Sequence, residues 1–192
     1  MYKDLTKLLA DKKCGNAEIK HFTVSPCDFR AIYIDHMIAG KEYIKLIVDD
    51  DIMMSDAPME CASNEWVINN AHGDVLIAGL GLGLILLPIM EREDVTSVTV
   101  VESNQNVIDI VAPQLPINSK VEVLHADIFT YSPSRMFDCI YFDIWPVICK
   151  DYAEQMKWLL NKYNAYLKDN SLAWTKCWQE DYVLGRSDEI IC

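Results

Sequence analysis

The sequence predicts an α/β protein whose core is a parallel sheet, and three observations carry that reading. From Asp74 onward apolar runs alternate with stretches of helical spacing: strands at 74–79, 96–102, 120–125, 137–143 and 172–178, with helices between most of them. Alternation of this kind implies parallel strands joined by right-handed crossovers. The first run, Val75-Leu-Ile-Ala-Gly79-Leu-Gly81-Leu-Gly83, enters a turn with glycine at every second position. The second run, Val98-Thr-Val-Val-Glu102, ends in a carboxylate 23 residues after Gly79. Glycines let a ligand lie against the backbone because they lack a Cβ and tolerate positive φ. An acid at the tip of the next strand can accept from both hydroxyls of a ribose. The expected architecture is Rossmann-like: about five core strands with flanking helices, preceded by a small antiparallel β lobe.

The elements follow in order. Leu5, Leu8 and Leu9 have helical spacing, so a helix is expected within residues 1–13. Ile19–Val24, Ala31–Asp35 and Tyr43–Val48 are rich in β-branched and aromatic residues, with turn residues between them, and read as strands of the small sheet. Asp49, Asp50 and Asp51 read as a solvated hairpin turn rather than a metal cluster. A helix is expected over 63–72, with Ser63 or Asn64 as its cap and Gly73 as its stop. Helices are expected from Gly83 to Arg92, near 104–112 and near 150–167, with a slight kink at Pro88. Residues 1–60 then form the antiparallel lobe and 61–192 the nucleoside-binding domain. The sequence runs only a short way past its fifth expected core strand, so that strand is expected to lie at an uncovered edge of the sheet, without a closing antiparallel strand pair. Homo-oligomerisation or a partner is one way to cover the resulting edge.

Composition narrows the function. The 192 residues carry a net charge of −12, a field that repels nucleic acid and favours cationic ligands. Seven cysteines without a CxxC pair fit a reduced, cytoplasmic protein, and neither they nor the four histidines show zinc spacing, so no metal is expected. The longest apolar run, Val75 to Met90, is broken by three glycines and Pro88, so no membrane span is expected.

In a parallel sheet ligands lie beyond the carboxyl ends of the strands. Gly79, Gly81 and Gly83, then Glu102, Asp127 and Asp143, all fall there. Glu102 would take the ribose diol. Asp127 would accept from an exocyclic adenine amine while Ile128 offers its backbone N–H. Asp143 lies nearest the reacting end. Each acid also has a plainer reading: Asp127 caps a short helix, and Asp143 serves the turn before Pro146. Trp145 either stacks on a substrate or covers the core, and Tyr131 and Trp178 read as packing residues. A dinucleotide oxidoreductase would need Gly or Ala where Leu84 stands.

Asp74–Gly83, Ser97–Asp109, Val121–Asp127 and Phe137–Asp143 together resemble the S-adenosylmethionine-binding core of class I methyltransferases, and more closely its spermidine synthase-like branch. Leu46–Asp49 through Ser55-Asp56 resembles the hairpin that precedes the core in that branch. The resemblance implies S-adenosylmethionine, or its decarboxylated form, held by Gly79, Leu80, Gly81, Gly83, Glu102, Ser103, Asp127 and Ile128. It implies a small, cationic acceptor at Asp143 and Trp145, with Asp143 as the catalytic group. Aminopropyltransferases usually carry an aspartate near the place of Leu82 and a glutamine near that of Met53. Those departures favour methyl transfer to an amine over aminopropyl transfer. A cofactor-binding regulatory or assembly subunit is the alternative outside catalysis.

Overall fold

The computed structural model describes residues 2–188. Two sheets organise the chain. The first is antiparallel, β1 (Lys12–Cys14), β2 (Ala17–Thr23), β3 (Glu42–Val48) and β4 (Asp51–Ser55), in that spatial order. The second contains β5 (Gly73–Ala78), β6 (Val95–Glu102), β7 (Val121–His125), β8 (Cys139–Phe142) and β9 (Trp174–Cys177) in the order β7-β6-β5-β8-β9, every pair parallel. The chain reverses its direction of winding between β5 and its neighbours β6 and β8. That switch point is where an open α/β sheet forms a crevice.

Both faces of the parallel sheet are covered, as its continuous apolar runs require. Val75, Ile77, Val98, Val100, Cys139 and Tyr141 face one apolar cluster, and Leu76, Ala78, Val101, Ile140 and Phe142 face another. The first cluster also takes Ala17, Ile19, Ile44 and Leu46, so the antiparallel sheet packs into the same core. Helix α7 (Ala153–Asn164) closes the second face with Met156, Leu159 and Tyr163. The far end of the sheet is held by polar contacts. Lys168 Nζ donates to Asp74 and Asp138, 2.7 Å each, and Ser97 donates to Asp74. Desolvation pushes the Asp74 carboxyl up, but the bonds from Lys168 and Ser97 outweigh it and hold it below the usual range.

Several elements differ from the sequence expectation. The N-terminal helix shrinks to α1 (Leu5–Leu8), and Lys12–Cys14 is the edge strand β1. Ala31–Asp35 is no strand. It falls in and just beyond α2 (Phe29–Tyr33), whose first turn is fixed by the Asp28 carboxylate accepting from Ala31 N at 3.0 Å. That cap, with Ala31 buried against Val24, Tyr43 and Ala57, outweighs the β-branched composition. The helix expected over 63–72 is two, α3 (Pro58–Ser63) and α4 (Glu65–Asn70), broken at Asn64. Gly73, expected to stop the helix, opens β5. Helix α5 spans only Leu86–Met90, and Pro88 lies in its first turn, where a missing N–H is easily tolerated. Helix α6 (Gln105–Val111) runs into a 3₁₀ turn, Ala112–Gln114. A second 3₁₀ turn, Lys150–Tyr152, precedes α7. After β9, which with β7 forms the two edges of the parallel sheet among the described residues, comes α8 (Glu180–Val183).

Candidate active site

A cleft of about 1280 Å³ runs between the antiparallel lobe and the carboxyl ends of β5, β6, β7 and β8. The strand tips are held in register by one further bond each: Gly79 N to Val101 O, Ala126 N to Glu102 O, and Asp143 N to Ala78 O. Acids at or just beyond the ends of β6, β7 and β8 are thereby brought to one opening.

The glycine loop has the backbone its sequence implies. Gly79, Gly81 and Gly83 all have positive φ, at 99°, 51° and 79°. All three meet atoms from elsewhere, Gly83 packing against the Leu115 side chain. A Cβ on Gly79 would lie 2.2 Å from the Asp143 carbonyl oxygen, and one on Gly81 would lie 2.3 Å from Met54 Sδ. Leu82 N also points at that sulfur, at 3.2 Å. The loop is therefore roofed at Gly81 by a side chain of β4. Leu82 is buried in the core.

Glu102 lies on the cleft wall and bridges two elements. One carboxylate oxygen accepts from Leu80 N at 2.9 Å and the other from Asn104 N at 2.8 Å. Each oxygen keeps a lone pair for a ligand hydroxyl. Asp127 is exposed on the wall, and its Oδ1 accepts from Phe129 N at 2.8 Å, so it also serves the turn that follows β7. Ile128 is buried, its carbonyl accepting from Tyr163 Oη at 2.8 Å. Leu80 and Ser103 line the same wall. Trp145 lines the cleft but is only 6% exposed; its indole donates to Gln155 at 3.0 Å and packs beside Tyr152. That placement makes it chiefly a wall of the core.

Asp143 is the chemically distinct member. Burial pushes its carboxyl up to about 7. Glu60, a residue the motif reading passed over, lines the same cleft. Burial lifts Glu60 to about 8 against the opposing bonds from Ser55, and the nearby Asp143 adds to the rise. Glu60 accepts from Ser55 N at 2.8 Å and from Ser55 Oγ at 3.0 Å. A local signal for it exists: Pro58 at the first position of α3 and Glu60 two later are a helix-start pattern, with the glutamate reaching back to a preceding N–H. Asn64 and Tyr141 close the floor behind them with a 2.8 Å hydrogen bond. Asp28, Asp35, Asp49, Asp50 and Asp51 add negative charge to the walls, against Arg30 and Lys45.

Among the described residues no group of three or more His, Cys, Asp or Glu is arranged to hold a metal ion, and no helix is long and apolar enough to cross a membrane. Cys139 lies 3.4 Å from His72 Nδ1, but burial lifts its thiol to about 12 and leaves it unreactive near neutral pH.

No protein-family model matches the sequence, and no curated protein is significantly similar to it. Among solved structures, the spermidine synthase of Thermotoga maritima superposes on 84% of this chain and 53% of its own, with TM-score 0.52 and 16% identity. The chain has the fold of a spermidine synthase. The match extends beyond the parallel sheet, since 84% of the chain cannot be covered without part of the antiparallel lobe. The N-methyltransferase NodS of Bradyrhizobium japonicum WM9, in complex with S-adenosyl-L-homocysteine, covers 59% of each chain at TM-score 0.47 and 17% identity. DhpI, in its SAH complex, covers 57% of this chain and 50% of its own at TM-score 0.45 and 19% identity. At these identities the likeness is one of fold. The chain spans about half the length of the spermidine synthase it matches.

Proposed function

We propose that the chain is an S-adenosylmethionine-dependent transferase that methylates a small amine. The observation that carries the reading is the state of Asp143. It shares one cleft with the glycine loop and Glu102, no hydrogen bond or ion pair holds its carboxylate among the described residues, and desolvation alone sets its raised pKa. Glu102 and Asp127, by contrast, are engaged with backbone N–H groups that shape a nucleoside-sized wall.

The residues fit the cofactor. Gly79–Gly83 offers a backbone track once the Met54 side chain swings off Gly81, Glu102 has free lone pairs for the ribose diol, and Asp127 has a free carboxylate oxygen for an exocyclic amine. When bound, S-adenosylmethionine supplies an electrophilic methyl carbon whose C–S bond breaks as the new N–C bond forms, the sulfur leaving as a neutral thioether. The protein's own work is alignment and proton handling. Asp143 orients the amine by accepting its N–H, and a carboxylate titrating near 7 can take the proton that the amine sheds. Glu60, largely protonated at neutral pH, adds little negative charge to the cleft it shares with Asp143. The acidic walls draw a cationic acceptor inward.

Aminopropyl transfer from the decarboxylated cofactor is the second reading, favoured by the spermidine synthase fold over 84% of the chain. Against it, Leu82 is buried and offers no charge to a free ligand amine. Calorimetry with both cofactor forms separates the two. Tighter binding of S-adenosylmethionine is expected; preference for the decarboxylated form transfers the assignment to aminopropyl chemistry. In a turnover assay over a panel of amines, Asp143→Asn should keep cofactor affinity and lose about 100-fold or more in rate. Full turnover by that variant ends Asp143's role. Binding without turnover by the unaltered chain assigns it as a non-catalytic cofactor-binding subunit.

A further inference from the structure

The mouth of the cleft differs chemically from its floor. Ile34, Ile52 and Val147 line it and are exposed by 58%, 56% and 53%. They come from three separate places: the C-terminal cap of α2, strand β4, and the loop after β8. Single exposed apolar side chains are ordinary, but three from separate elements lining one cleft that also carries half-buried acids mark a binding groove. The cleft volume, about 1280 Å³, also exceeds the roughly 300–1,000 Å³ usual for a site that takes one small ligand.

We propose that the acceptor is an amine carrying an apolar arm of several carbons, its nitrogen between Glu60 and Asp143 and its arm laid over Ile34, Ile52 and Val147. The inference rests on the amine-transfer reading and adds the chemistry of the remainder of the acceptor. A polyamine, charged along its length, gains nothing from the apolar lip. A monoamine with an alkyl or arylalkyl arm satisfies both ends. A second copy of this chain is disfavoured as occupant, since each copy carries a net charge of −12 and the Asp49–Asp51 turn stands beside Ile52 on this same rim.

The test is calorimetric binding of butylamine and octylamine to the full chain at saturating S-adenosyl-L-homocysteine, with cofactor affinity measured in the same experiment. Burial of each methylene in a fully apolar site is worth about fourfold in affinity, so even a half-exposed lip should favour octylamine by about tenfold or more. The double variant Ile34→Ser, Ile52→Ser replaces exposed side chains and should fold; it is expected to collapse that ratio toward one. Butylamine binding with no gain for octylamine overturns the arm and leaves the amine reading standing. A gain that survives the double variant also overturns it. Failure of both amines to bind, with cofactor binding intact, removes both readings. A dimer in sedimentation that the double variant dissolves assigns the lip to self-association and overturns the inference as well.

Discussion

Asp143 lends itself to a test that needs no substrate. Its carboxyl moves from 3.8 to about 7 on folding because the cleft floor strips it of water. At 1.36 kcal/mol per pK unit the upward shift amounts to about 4 kcal/mol for a wholly dry site. The side chain is only half-buried and the cleft is open, so water screens this to about 1–2 kcal/mol. The sign follows from proton binding. Between pH 4 and 7 the folded chain keeps a proton that the unfolded chain has released, so stability falls as pH rises through that window. Below pH 4 the two states are alike, and above pH 7 the full cost is present. Asp143→Asn removes the titration. In urea unfolding the variant should be more stable than the unaltered chain by about 1–2 kcal/mol at pH 8, raising Tm by about 2–8 °C, with the difference gone at pH 4. Glu60 titrates in the same direction up to about 8, so the variant keeps part of the slope and Glu60→Gln should flatten the rest. Parallel profiles for variant and unaltered chain between pH 4 and 8 would mean that Asp143 is well solvated, and the case for it as a base near neutrality would be lost.

Two further outcomes are expected. Gly79→Ala should destabilise the chain by about 3 kcal/mol, because φ is +99° and the new Cβ would lie 2.2 Å from the Asp143 carbonyl oxygen; a urea midpoint matching that of the unaltered chain would refute the close approach. Lys168→Ala leaves Asp74 and Asp138 facing each other without their shared cation and should cost about 1–3 kcal/mol at pH 7. Both carboxyls are held below the usual range, so that cost should fade as pH falls below 4; a loss independent of pH would refute the electrostatic account.

The parallel sheet was legible because each strand is a short apolar run bounded by turn residues, and the glycines at 79, 81 and 83 all proved to need positive φ. The antiparallel lobe was read less well. Its pieces are short, and non-local contacts decide them: Ala31–Asp35 is pulled into α2 and its continuation by the Asp28 cap and the small core around Tyr43. Glu102, Asp127 and Asp143 could be placed because strand ends are visible in sequence. Glu60 could not, since its relevance arises from α3 packing across the cleft, which no strand-end argument reaches. Met54 is a similar case. Nothing in Asp51–Ser55 indicates that a sulfur from that strand rests against Gly81.

That sulfur joins the glycine loop to the strand at the cleft entrance. A cofactor tail running along Gly81 must displace Met54, and Met54 rides on the same short strand as Ile52 at the entrance. The inner and outer ends of the cleft thus share one short strand as a wall. If a bound nucleoside must first lift that thioether aside, initial-rate kinetics will read compulsory order with the nucleoside entering first.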